Sequence, residues 1–149
     1  MSERIDYVVE FAESLTGINI REYLGKLMTL DMLIVNVDRH FNNIGIIANS
    51  IAGQYRPAPI FDNGNSLLSD LGRYDPEDSL AGNIEKATGH PFCANLERQA
   101  LELGFGLKIN YHELQRKLDS EPDSRALEVL RMQLRRYENI LRDDDVRMG

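Results

Sequence analysis

The chain has 149 residues, 42% of them hydrophobic and 28% charged, with a formal net charge of −7. That length suits one domain or one large lobe rather than two full domains, and the composition excludes disorder throughout. The acidic balance excludes a general nucleic-acid or anionic-membrane surface, because phosphate binding takes clustered Lys and Arg.

Residues 1–149 therefore read as a single unit. A first helix starts at Ser2 as cap and carries Ile5, Val8, Val9, Ala12 and Leu15 at helical spacing, with Gly17 as its stop. A second helix is predicted over 20–35. Its apolar positions (Ile20, Tyr23, Leu24, Leu27, Met28, Leu30, Leu33 and Ile34) spread beyond one face, the pattern of a helix inside a core. A polar cluster, Asn36, Asp38, Arg39, His40, Asn42 and Asn43, follows abruptly.

Next comes a short β-branched strand over 44–48, a turn near Asn49 to Gly53, and a second strand over 58–61 that ends at Asp62-Asn63-Gly64. Pro57 and Pro59 confine that second strand to an edge or irregular role. Residues 65–93 are rich in Gly, Pro, Ser and Asp and read as a long loop with short helical pieces. Three more helices are predicted: Asn95 to Leu103, Asn110 to Leu118 with Glu113 completing an imperfect capping box, and a last one opened by Pro122 and running to Leu141. Residues 143–149, starting with Asp143, Asp144 and Asp145, read as a flexible tail. The fold class is mainly α (α+β): a helical bundle with one small hairpin.

The cluster at 36–43 is the strongest chemical feature. Unpaired polar groups pinned against a core cost a few kcal/mol each, about 1–3 on mutational scales, so they satisfy one another or face a ligand. A hairpin folding back brings Asp62 to Asn43, which places the carboxylates of Asp38 and Asp62 and the amide of Asn43 around one point. Hard oxygen donors of this kind suit Mg2+ completed by substrate phosphates. Asp38 is then free to orient a hydroxyl or accept its proton.

The segment DRHFNN, with Asp38 and Asn43 five apart, resembles the catalytic loop of the protein-kinase-like superfamily. Its Asp-Arg-His order is similar to that of phosphatidylinositol kinases and of the bacterial HipA-like Ser/Thr kinases. The following IGII strand and PAPIFDNG segment resemble the HipA-like pattern, in which a hairpin leads to the metal-binding Asp. The match covers roughly residues 31 to 68.

The resemblance implies a kinase-like C-terminal lobe in which Asp38 is the catalytic aspartate, His40 shapes the loop, and Asn43 and Asp62 bind Mg2+ and with it ATP. Asn63 stands where many kinases have Phe, while the Asp-x-Gly frame of Asp62 and Gly64 is kept. It implies MgATP-dependent transfer to a Ser or Thr hydroxyl of a protein. It also implies an N-terminal lobe with a Gly-rich loop and a strand-borne Lys. That lobe is not seen here: two helices precede Asp38, and Lys26 is the one lysine before it.

The expected partners are ATP, a protein substrate, and a protein that supplies the missing lobe or, by analogy with toxin–antitoxin pairs, an antitoxin. Alternatives are a catalytically silent module that binds a protein or nucleotide and, further off, a lipid kinase. A single cysteine rules out an internal disulfide and, with an N-terminus unlike a signal peptide and no apolar run near the about 20 residues of a bilayer span, points to the cytoplasm.

Other features read as structural. Gly104-Phe105-Gly106 is a helix stop and turn, and His90 and Cys93 belong to a packed loop rather than half a zinc site. Ser66 is a turn or cap residue, and His112 lies on the surface. Arg131, Arg135, Arg136 and Arg142 make a salt-bridge-laced helix face, and Phe92, Phe105 and Tyr111 are core or loop anchors.

Overall fold

The computed structural model describes residues 1–143; six of the seven residues predicted as a tail, 144–149, lie outside them. Apolar side chains three and four apart turn Ile5, Val9 and Ala12 of α1 (Ser2–Thr16) into the core that also holds α2 (Arg21–Ile34). Helix α2 is the central element: Leu24, Leu27, Met28, Met32 and Leu33 are all buried, and it packs against α4 (Leu96–Glu102) and α6 (Arg125–Leu141). Leu118 of α5 (Tyr111–Asp119) and Leu127, Leu134, Tyr137 and Leu141 of α6 close the same core. A fully buried Leu or Met contributes roughly 1.5–3 kcal/mol, so α2 and α6 together hold much of the fold's apolar stabilisation.

Glycine lets two backbones touch at the middle of α2. A Cβ on Gly106 would lie 2.7 Å from the Gly25 carbonyl carbon and 2.8 Å from the Lys26 nitrogen. Gly104, at φ 76°, turns the chain after α4, so the Gly-x-Gly run is a helix stop plus a backbone contact.

The hairpin is real but shifted along the chain. Strand β1 is Ile46–Asn49 and β2 is Gln54–Pro57, antiparallel, with Ile46 opposite Pro57 and Asn49 opposite Gln54. The second strand expected over 58–61 is therefore four residues too late. Pro57 ends β2, Pro59 inside the expected segment lacks the N–H a continued ladder needs, and Ile60 packs on the core instead.

Within 65–93 one short helix forms, α3 (Leu80–Lys86), capped by Ser79 Oγ. Helix starts also differ from expectation. Met1, not Ser2, is the cap position of α1, and Ser124 rather than Pro122 opens α6, accepting from the Leu127 N–H at 3.1 Å. Asn95 and Asn110 cap α4 and α5 with their side chains, as their position before apolar runs predicts.

A smaller cluster (Val35, Val37, Leu68, Tyr74 and Val129) lies beneath the loop that follows α2. Arg125, in the first turn of α6, fastens this region by donating to the Leu68 carbonyl at 2.7 Å and the Tyr74 carbonyl at 3.1 Å.

Candidate active site

Helix α2 ends because Val35 turns left-handed, at φ 53° and ψ 51°. A β-branched residue there is strained by roughly 1–2 kcal/mol, and Val35 remains because its side chain is buried in the smaller cluster. The turn delivers the polar segment 36–43, whose last residues, Phe41–Asn43, form one 3-10 turn before β1.

Arg39 organises this segment. Its side chain and that of Asp31, on α2, are both 0% exposed, with Nε donating to Asp31 Oδ2 and Nη2 to Asp31 Oδ1, each at 2.9 Å. Asn36 Nδ2 donates to Asp31 Oδ1 at 3.0 Å. Burial pushes the Asp31 carboxyl up from its ordinary value, and the Arg39 guanidinium and Asn36 amide pull it back down.

The remaining donors of Arg39 reach across the hairpin. Nη1 lies 2.6 Å from the Phe61 carbonyl and 3.4 Å from the Asn43 carbonyl, and Nη2 donates to Asn63 Oδ1. One guanidinium thus binds the backbone before Asp62, the side chain after it and the end of the Asp38 loop. The two ends of the hairpin meet there, as expected from sequence.

The four predicted residues lie on the two loops that this hub joins. Asp38 is exposed, its N–H donating to Asn36 Oδ1 at 3.1 Å and its Oδ1 lying 2.7 Å from His40 Nε2. Asn43 is half-buried and points Nδ2 at the Asp38 carbonyl at 3.4 Å, which leaves Oδ1 as an acceptor. Asp62 is exposed at φ 57°, a left-handed conformation that Asp tolerates better than most residues, and its carboxylate has no hydrogen-bond or ion-pair partner among the described residues.

Among the described residues no three His, Cys, Asp or Glu side chains group closely enough to hold a metal ion. The donors available are two exposed carboxylates and one amide oxygen. That set fits Mg2+ only where substrate phosphates and water complete the shell.

A second loop braces the first. Gln99 of α4, 0% exposed, accepts from the Phe92 and Cys93 N–H groups at 3.1 and 3.3 Å and donates to the His90 carbonyl at 2.9 Å. The His90 ring thereby sits 5.3 Å from that of His40, and Phe92 meets Phe41 edge-on at 5.8 Å. Cys93 Sγ donates to the Asn95 carbonyl, so His90 and Cys93 serve loop packing. Ser66 is buried and its hydroxyl caps nothing; only its carbonyl takes part in a turn, accepting from Ser69.

Asp31 and Gln99 escape sequence reasoning. The available signal was an acid between Leu30 and Met32 on a helix whose neighbours all read as core. A buried carboxylate demands a buried cation.

Beside the site an apolar groove of about 780 Å³ runs between α1 and the start of the hairpin. Tyr7, Phe11 and Leu15 stand 54–66% exposed along it, and Phe41, Ile44 and Ile46 form its other wall. No helix among the described residues is long and apolar enough to cross a membrane. No protein-family model matches the chain, and no curated protein or solved structure shows significant similarity to it.

Proposed function

We propose that this chain is the C-terminal catalytic lobe of a HipA-like Ser/Thr protein kinase. The observation that supports this reading most is Arg39, which draws the Asp38 loop and the Asp62 loop onto one guanidinium. Phosphoryl transfer asks little covalent chemistry of a protein and depends on such positioning.

Asp38 orients the acceptor hydroxyl and takes its proton, and His40 holds one Asp38 oxygen in place. Asn43 and Asp62 would hold Mg2+, which bound with ATP would neutralise charge on the phosphates. Lys26 is not the lysine that clamps nucleotide, because it sits on the exposed face of α2 paired with Glu22 at 3.3 Å. The clamping lobe is therefore supplied from outside this segment, and the chain alone is inactive.

Calorimetric titration of MgATP into this chain and into Asp62→Ala tests the reading. Heat that requires both Mg2+ and Asp62 is the expected result, and heat undiminished in Asp62→Ala overturns it. A second reading, a catalytically silent module that docks a protein partner, is favoured by the exposed aromatic groove beside the site. It expects a folded chain that neither binds MgATP nor transfers phosphate when ATP is saturating.

A further inference from the structure

Away from the candidate site, α5 and α6 enclose a cleft of about 440 Å³ whose polar wall is cationic on an otherwise acidic molecule. Arg131, Arg135 and Arg142 line it with a single carboxylate, Glu138, and with the edges of Tyr111 and His112. Arg131 and Arg135 stand four apart on α6 and so share one face.

Their partners leave charge to spare. Glu138 is taken by Arg142, which also lies over the Tyr111 ring at 5.2 Å. Arg131 commits only Nη2, to an ion pair with Asp119 at 3.6 Å and to the Leu118 carbonyl at 3.5 Å, and its Nε is buried with no hydrogen-bond partner. Arg135 has no hydrogen bond or ion pair among the described residues. A buried, charged N–H donor without an acceptor is costly, and two guanidinium forks on one face suit an oxyanion bound through paired N–H donors.

We propose that the α5–α6 cleft binds a phosphate-bearing ligand, with Arg131 and Arg135 as its ligating forks. A phosphate monoester near pH 7 carries a charge of about −1.5 to −2 and three acceptor oxygens. Three guanidiniums, offset by Glu138 in the cleft and by Asp119 beside Arg131, leave one net positive charge, held by Arg135, that favours this dianion over a carboxylate. Arg131 Nη1 and the Arg135 guanidinium, neither of which has a partner among the described residues, gain an acceptor, and the Tyr111 ring receives the group that bears the phosphate. This assignment does not rest on the kinase reading.

The test is a titration of inorganic phosphate into the isotope-labelled full chain at constant ionic strength, with chloride as the balancing anion. Arginine Nε–H resonances are followed by NMR. The expected result is a saturable shift of the Arg131 and Arg135 signals, weakened about tenfold in Arg135→Ala, the loss of one charge-assisted pair. It should be unchanged in Arg136→Ala, whose guanidinium pairs with Glu97 instead, and in Asp62→Ala.

Arg135 is exposed in mid-helix and alanine favours helix, so Arg135→Ala should fold. Tighter binding of a phosphoserine peptide than of phosphate identifies a modified protein as the source of the ligand. Equal binding identifies a free phosphate. Unsaturable shifts, shifts unaltered by Arg135→Ala, or acetate binding as tightly as phosphate would each overturn the assignment.

Discussion

Replacing Asp31 with Asn puts the central claim about the site to a quantitative test. The substitution keeps the side chain's shape and removes its charge, leaving the Arg39 guanidinium buried at 0% exposure with no counter-charge. Both bonds at 2.9 Å become bonds to a neutral group or are lost. Removing one member of a buried pair typically costs about 3–5 kcal/mol, a large part of a total stability of about 5–15 kcal/mol. For a chain of this size each kcal/mol lowers Tm by about 2–4 °C, so the expected fall is roughly 6–20 °C.

Urea unfolding followed by circular dichroism measures the free energy, and a thermal scan measures Tm. A loss below about 1 kcal/mol would refute the view that this pair anchors the loops. The paired variant Asp31→Leu with Arg39→Met separates stability from positioning, because apolar replacements for a buried pair often restore stability. In that protein the amides of residues 61–64 should exchange faster even where global stability recovers, since the bonds to the Phe61 carbonyl and Asn63 side chain are gone. Unchanged protection there would show that Arg39 does not hold the Asp62 loop.

Gln99→Ala strands the N–H groups of Phe92 and Cys93 and the carbonyl of His90, and should cost roughly 2–4 kcal/mol while dissolving the Phe41–Phe92 contact. A retained ring contact in the aromatic NMR spectrum would count against the brace. Gly106→Ala pushes a methyl group into the α2 backbone at 2.7 Å and should lower stability by about 1–3 kcal/mol in a denaturant titration; a neutral result means that the two backbones separate freely. Burial, reinforced by its hydrogen bond to Glu97 and opposed by Arg136, pushes the Tyr137 phenol up to about 12. Its contribution to stability is complete below the unfolded value of roughly 10 and is lost as pH rises from there through 12. Tyr137→Phe should therefore remove the uppermost step of the tyrosinate absorbance titration, and an unaltered curve would contradict the placement.

Helix periodicity carries most of what the sequence reveals about this fold, since Ile5, Val9 and Ala12 or Leu127, Leu134 and Leu141 can bury themselves only on one helical face. The hairpin was legible in kind and misplaced in register. The apolar run Ala58–Phe61 looks like the strand, whereas the ladder uses the polar, mostly exposed stretch Gln54–Pro57, whose residues carry no apolar alternation to announce it. At the site, the meeting of the Asp38 and Asp62 loops followed from simple hairpin geometry. The means of joining them did not, because the partner of Arg39 is an acid eight positions earlier on another element. Gln99 was hidden for the same reason: nothing local announces that an amide in α4 will hold a loop through its main chain. The basic face of α6 divides likewise, with Arg136 and Arg142 in ion pairs and Arg135 in none, a distinction that spacing alone does not draw.

Helix α6 carries none of the four site residues, yet the segments on either side of the stretch from Asp38 to Asp62 hang on it. Val129 lies in the cluster that compensates the strained Val35, Arg125 fastens the Leu68 and Tyr74 carbonyls, and Gln133 donates to the Met32 carbonyl at 3.0 Å. Leu67 and Leu68, at φ 54° and 60°, also hold left-handed conformations that isolated leucines avoid. The shortest piece of this protein that keeps the Asp38 and Asp62 loops in shape must therefore extend through α6. A shorter excerpt, cut to the segment that carries the motif, would release Val35, Leu67 and Leu68 to relax and would be the wrong object on which to assay the site.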